Sequence, residues 1–357
     1  MDELRRELTT RLYRLILRAA DGRYTPAHSP FAIASTSGPV REENQDRAVV
    51  SEIFGGSGPP MRIAIVCDGL GGMEAGQNAA SIATATFLVS LLLAGNGSIS
   101  SHLREACLRA NDAVHGRLRG DGGTTMTAVA ITSDGATCIH VGDSRLYVLS
   151  EDGDLTLATQ DDTLSGAIHA QAGQLDEDAL DNRLLQFVGI GSDINPHLVE
   201  LNITSPAMFM ITSDGAHGMG RRVLDGIVSR VRSPGELARK IVTVADALNV
   251  SDNATVACLI NSRWEQGREG RSVRRLVVHT TSDQIEIWLP DMSGVATPTV
   301  ERDQDQPSAN VKKERSKPAK TSIKKSGAPR RQRPSRPPDE PPMEVIFRIG
   351  EGEGSND

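Results

Sequence analysis

Four β-prone runs crowd into residues 124–159: TTMTAVAIT, TCIHVG, RLYVLS and DLTLAT, parted only by Asp-Gly, Gly-Asp-Ser and Asp-Gly turns. Parallel neighbours need a crossover of a dozen or more residues, so strands this closely spaced must meander antiparallel. The runs FAIAST, RAVVSEIF and RIAIVC before them, and HLVELNIT, AMFMITS and ATVACLI after them, extend the same β-rich unit. Helical stretches fall at about 74–94, 100–118, 221–231 and 234–248. The last opens on Ser233-Pro234-Gly235-Glu236, a capping box with proline at the first helical position. This order predicts an α+β fold in which antiparallel sheets are sandwiched by helices. Only 3% of the 357 residues are aromatic, so the core must be built from Val, Ile, Leu and Ala.

The chain divides into five stretches. Residues 1–30 carry an amphipathic helix, with Leu4, Leu8, Leu12, Leu15 and Ala19 on one stripe, that packs on its own domain or on a partner. Residues 31–264 hold the β-rich unit. Residues 265–290 read as a β-hairpin outside it, through SVRRLVVHTTSDQIEIWL at 272–289. Residues 291–342, rich in Pro, Ser, Lys and Arg and poor in large apolar side chains, are expected to be disordered. Residues 343–350, MEVIFRIG, read as a strand that pairs with the hairpin or with another protein.

The formal charge of −7 conceals an asymmetry. Residues 311–338 hold 11 Lys and Arg against Glu314 alone, a net of +10, so the remainder sums to −17. An acidic body argues against nucleic-acid binding and suits a protein that gathers cations; the basic tail also lacks the aromatic residues that single-stranded nucleic acid would stack on. Cys67, Cys107, Cys138 and Cys258 stand far apart in apolar segments, as buried free thiols of a reducing cytoplasm do. The start MDELRRELTTRLYRLIL is too charged for a signal peptide, and FLVSLLLA is too short to cross a bilayer.

Charge placement points to chemistry. Asp68 follows RIAIVC, Asp143 follows TCIHVG, Asp214 follows AMFMITS, Asp46 precedes RAVV and Asp252 precedes ATVACLI. Each alone reads as a turn residue. Five carboxylates at five strand ends, however, would meet on one rim, where their repulsion calls for a cation. An all-oxygen donor set suits Mg²⁺ or Mn²⁺ rather than Zn²⁺. Glycines after Asp68 let backbone approach such an ion, with the Gly69 carbonyl as a further ligand. Nucleotide-binding glycine patterns are missing, because the third glycine that Gly69 and Gly71 would need is Glu74.

The segments REENQD (41–46), DGLGG (68–72), GGTT (122–125), GDSR (142–145), TSDG (212–215) and DNAT (252–255) resemble, in order and context, the metal-dependent type 2C serine/threonine protein phosphatases of bacterial type. The resemblance spans about 31–262. It implies a four-layer α/β/β/α sandwich, two antiparallel sheets flanked by helix pairs. It also implies that Asp68 bridges two ions with the Gly69 carbonyl on the second, that Asp214 and Asp252 hold the first, and that Asp46 acts through water. Asp143 resembles the ligand of a third ion, and Arg41 stands where the family grips the substrate phosphate. The implied activity is hydrolysis of phosphoserine and phosphothreonine in proteins by in-line attack of a hydroxide held between the ions. A Ser/Thr kinase would be the counterpart. Leu70 departs from the eukaryotic pattern, in which a histidine donates a proton, and is apolar as in bacterial relatives. Residues 161–190, with His169, match the family's flap loosely; His169 reads as a surface residue and His140 as a structural one. The competing readings are a phosphoprotein-binding pseudophosphatase and a scaffold recruited through the tail.

Overall fold

A computed structural model describes the chain except residues 27–28, 56–59, 168–182, 193, 202–206, 232, 262–272, 291–345 and 352–357. Half of the flap segment, with His169, and the basic segment expected to be disordered therefore lie outside the described residues.

Helix α1 (Asp2–Arg18) leads into β1 (Gly22–Tyr24), β2 (Phe31–Thr36), β3 (Arg47–Phe54), β4 (Met61–Cys67) and β5 (Gly69–Gly71). Helices α2 (Met73–Leu92) and α3 (Ile99–Leu118) follow, then the meander β6 (Gly122–Thr124), β7 (Met126–Thr132), β8 (Gly135–Val141), β9 (Arg145–Ser150) and β10 (Leu155–Leu157). The remainder is β11 (His197–Leu201), β12 (Ala207–Thr212), α4 (Asp214–His217), α5 (Arg221–Val228), α6 (Pro234–Ala247), β13 (Ala254–Ile260), β14 (Val273–His279), β15 (Asp283–Pro290) and β16 (Ile346–Glu351).

A six-stranded sheet, in the order β1-β2-β13-β12-β9-β10, faces an eight-stranded one, β11-β8-β7-β4-β3-β14-β15-β16, and every recorded pairing is antiparallel. Val50, Val66, Val129, Phe209, Ile211 and Ala257 fill the space between them. Helices α1, α2 and α3 cover the outer face of the large sheet through Leu8, Leu12, Phe87 and Leu103, and α5 and α6 cover the small one through Leu224, Leu237 and Ile241. The four layers are those expected, with a third helix on one side. Strands walled on both faces lose the alternation of half-buried ones; all seven residues of β4 are buried.

Local signals set the helix ends. Ser233 Oγ accepts from the Glu236 amide (3.3 Å) with Pro234 next in line, and Ser98 Oγ accepts from Ser101 (3.2 Å) to start α3. These bonds satisfy helix-end donors that have no intrahelical partner.

The hairpin β14–β15, expected outside the β-rich unit, continues the large sheet: β14 pairs along β3, with Val50 opposite His279 and Ile53 opposite Leu276. Its apolar residues complete the wall under α1 and α2, which is why it is not a separate module. β16 pairs with β15, so of the two partners expected for the terminal strand the hairpin is the one it takes.

His279 is wedged at this junction, its Nδ1 3.2 Å from the Tyr24 hydroxyl and its ring 4.7 Å from that of Phe31. Burial, then the nearby Arg62 charge, pushes the imidazole down to about 4. The unfolded chain takes up this proton near pH 6.5 but the folded chain only near 4, so stability drains away as pH falls through that window. Replacing His279 with Gln is expected to spare about 2 kcal/mol of the loss between pH 7 and pH 5. Urea unfolding of both proteins at the two pH values measures it, and parallel losses would place the acid sensitivity elsewhere.

Candidate metal centre

Strand registers put the five acids on one rim. Arg47 of β3 is paired with Cys67 of β4, so Asp46, just before β3, and Asp68, just after β4, leave the large sheet at the same end. Met126 faces Val141, which brings Asp143 to that end beside Thr125. In the small sheet Thr212 faces Val256, so Asp214 and Asp252 emerge together. Asp46 is 1% exposed; the other four are partly open to solvent.

Neutral side chains fasten these turns. The Asp68 amide donates to Thr125 Oγ1 (2.9 Å), its carbonyl accepts from Thr124 Oγ1 (2.8 Å) and the Thr125 amide (2.9 Å), and Thr125 Oγ1 lies 2.7 Å from Ser144 Oγ. Asn44 Oδ1 accepts from the Asp46 amide (2.9 Å). Asn253 Oδ1 accepts from the Gln45 amide (2.9 Å) while its Nδ2 donates to the Glu43 carbonyl (3.1 Å), joining the Asp46 turn to the Asp252 turn. Reading the acids alone missed Asn44, Thr125, Ser144 and Asn253, although each sits inside a motif singled out above.

The acids act on one another. Burial and then the fields of Asp46, Asp214, Asp143 and Asp252 hold the Asp68 carboxyl well above the usual carboxylate range. Burial pushes Asp46 up to about 7 and Asp143 up to about 7, the latter with help from Asp214. Asp214 is raised by burial and then by the charge of Asp252. Ser213 and Thr255 lie near Asp46, but their hydroxyls are engaged at 3.4 Å with the Asn253 carbonyl and at 2.6 Å with Ser35 Oγ. Both Asp46 carboxylate oxygens and Asp214 Oδ1 are thus buried without a hydrogen-bond partner.

Orphaned, mutually repelling carboxylate oxygens are what a hard divalent cation would satisfy. Gly69 adds a cradle: a Cβ there would lie 2.4 Å from the Gly76 carbonyl oxygen and 2.8 Å from that of Gln45. Among the described residues no three acidic, thiol or imidazole side chains already form a closed ligand set. Arg41 Nη2 donates to Asp252 Oδ2 at 2.6 Å while half its side chain faces solvent. The donor set fits Mg²⁺ or Mn²⁺, with Arg41 poised between an acid and the open rim.

One histidine stands apart from the rim acids. His140 is buried, with Nδ1 2.8 Å from Thr127 Oγ1 and Nε2 3.0 Å from the Gln160 carbonyl, in the structural role expected of it. Leu70 lies on β5 opposite Gly123. At the described edge of the flap, Arg145 forks onto Asp161 (2.7 and 3.0 Å), and Asp162 accepts from the Gly142 amide (2.8 Å) and from His197 Nε2 (2.8 Å).

A family profile described as Protein phosphatase 2C matches residues 41–254. A Streptococcus pyogenes protein named putative protein phosphatase 2C-type is 30% identical over 248 residues, 65% of this chain and 97% of its own. The Mycobacterium tuberculosis serine/threonine protein phosphatase PstP is 25% identical over 236 residues, 63% of this chain; the match spans 44% of that relative's length. The crystal structure of the PPM Ser-Thr phosphatase MsPP from Mycobacterium smegmatis, in complex with cacodylate, superposes with a TM-score of 0.55 at 28% identity, covering 64% of this chain and 97% of that one.

Proposed function

Because the chain belongs to the protein phosphatase 2C family, we propose that it is a metal-dependent protein serine/threonine phosphatase that hydrolyses phosphoserine and phosphothreonine. The observation that carries this reading is the convergence of five aspartates, three of their oxygens buried and unpaired, beside an exposed guanidinium.

Asp68, the Gly69 carbonyl, Asp214 and Asp252 would hold two Mg²⁺ or Mn²⁺ ions, with Asp46 acting from behind and Asp143 sharing Asp214 toward a third. When bound, such ions supply Lewis acidity toward phosphoryl oxygens and lower the pKa of a water. Arg41 orients the substrate: its planar fork donates two parallel hydrogen bonds to a phosphate, which neutralises charge as the phosphoryl group is transferred. To do so the guanidinium exchanges Asp252 for the substrate, a short swing for a side chain half in solvent. Leu70 has no ionisable proton to give, so the leaving Ser or Thr oxygen would take its proton from a water, either of the solvent or held on the ions. Four buried free thiols suit a reducing cytoplasm, and no helix among the described residues is long and apolar enough to cross a membrane. A Ser/Thr kinase supplies the substrates, and signalling is the setting.

The test is release of phosphate from a phosphothreonine peptide by the full chain. Turnover is expected with Mn²⁺ or Mg²⁺ and is lost in EDTA. Replacing Arg41 with Ala is expected to lower kcat/KM about 10- to 100-fold, through both KM and kcat. Turnover that ignores EDTA, or none with either metal, would refute the proposal.

A further inference from the structure

Arg47 is the largest fully buried side chain described, and no carboxylate among the described residues is ion-paired with it. Its Nη1 donates to the carbonyls of Asn44 (2.9 Å) and Asp46 (2.6 Å), its Nε to Ser81 Oγ on α2 (3.1 Å), and its Nη2 to Gln77 Oε1 on α2 (3.3 Å) and to the Leu17 carbonyl of α1 (3.1 Å). All five guanidinium protons are thereby used. The Leu17 carbonyl is one of the helix-end acceptors that α1 cannot satisfy internally, and it lies at the negative end of the helix dipole. Arg47 is therefore a rigid bracket. One side grips the turn that carries Asp46, and the other closes only when the C-terminal end of α1 is in place.

Helix α1 lies outside the matched segment 41–254, yet it is fixed firmly. Leu8, Leu12 and Ile16 are completely buried against α2 and the large sheet, and the Tyr13 hydroxyl donates to Asn78 Oδ1 at 2.6 Å. If α1 lifts, the bracket loses an acceptor and its site opens to water. The two carbonyl clamps on the Asp46 turn then compete with solvent.

We propose that Arg47 is a positioning residue that couples the N-terminal helix to the acidic rim, so that docking of α1 on α2 sets how tightly the rim holds a divalent cation. This rests on the phosphatase reading for the identity of the rim and adds a means by which anything that engages α1 would adjust it.

The experiment uses the full chain with Arg47→Gln, Arg47→Lys, Leu12→Ala and the double variant Arg47→Gln/Leu12→Ala. Ile241→Ala on α6, buried in the opposite helical layer, is the control for general destabilisation. Calorimetric titration with Mn²⁺ gives affinity, and amide hydrogen exchange in metal-free protein reports the Asp46 turn. Arg47→Gln is expected to weaken Mn²⁺ binding about tenfold or more and to speed exchange at Gln45 and Asp46. Arg47→Lys should recover part of both, and Leu12→Ala should shift both in the same direction by less. The double variant should be no worse than Arg47→Gln, and Ile241→Ala should lower Tm while moving neither. Wild-type affinity and exchange in Arg47→Gln or Leu12→Ala, or effects that simply add in the double variant, would overturn the coupling. Should the wild type bind no Mn²⁺, the phosphatase reading fails by itself, while the exchange comparison still decides for or against the bracket.

Discussion

Asp68→Asn is expected to make the metal-free protein more stable and to abolish nearly all of the proposed turnover. The carboxyl sits among four others and is held well above its ordinary range by burial and by their charges. Asparagine keeps the shape, replaces an acid whose ionisation burial and the neighbouring carboxylates oppose with a neutral group, and leaves the backbone bonds to Thr124 and Thr125 untouched. A gain of about 1–2 kcal/mol, a few degrees in Tm, follows from removing the cost of burying that acid among the others. The same substitution removes an anionic oxygen from the proposed bridging position, so kcat/KM toward a phosphothreonine peptide should fall about a thousandfold or more. Excess Mn²⁺ should raise the wild-type Tm strongly and the variant's little. Thermal scans with and without Mn²⁺, beside the peptide assay, decide the matter. A less stable metal-free variant, or one that turns over at the wild-type rate, would show that the rim is not a strained cation site.

Gly69→Ala should fail for a different reason. The backbone of Gly69 is not in the left-handed region, so alanine is acceptable in conformation. Space is the obstacle, because the new methyl group would stand 2.4 Å from the carbonyl oxygen of Gly76, in the first turn of α2. A backbone atom cannot turn aside as a side-chain tip can, so β5 and α2 must separate. The cost is on the order of 3 kcal/mol or more. Because the same strand leads out of Asp68, activity should drop at least about a hundredfold even at temperatures where the variant stays folded. Gly72→Ala, where a Cβ would meet nothing within 4 Å, is the matched comparison and should sit within about 1 kcal/mol of wild type. Equal behaviour of the two variants would mean that the approach of β5 to α2 is not tight.

The parts of this molecule legible beforehand are those encoded locally. Asp-Gly turns at 134–135 and 152–153, the Ser233 cap and the short spacing of β7 to β10 each act within a few residues, and they sufficed to place the strands and so the five aspartates at strand ends. What stayed hidden depends on distant pairing. Nothing in the composition of 273–279 says that its partner is β3 rather than a strand of a separate hairpin. Strands covered on both faces, such as β4, carry no alternation to show which side chains meet which layer. The neutral fasteners were overlooked for a chemical reason: Asn44, Thr125 and Asn253 have no charge to draw notice, and their part emerges only when the carbonyls and amides they serve are seen. Arg47 is the sharpest instance. Nothing in the sequence marks the charged residue one position past Asp46 for burial, yet it is interior and spends every donor on neutral acceptors.

The union of β3 with β14 bears on how the protein is born. Val50 pairs with His279, 229 positions later, so while the chain leaves the ribosome the wide sheet has a raw border along β3 until β14 has been made. Loop closure over such a span is slow, and an unpaired border is where nascent chains stick to one another. A message cut short after residue 262 would therefore yield not a trimmed domain but a sticky fragment, with Leu276 and Val278 missing from the floor beneath α1.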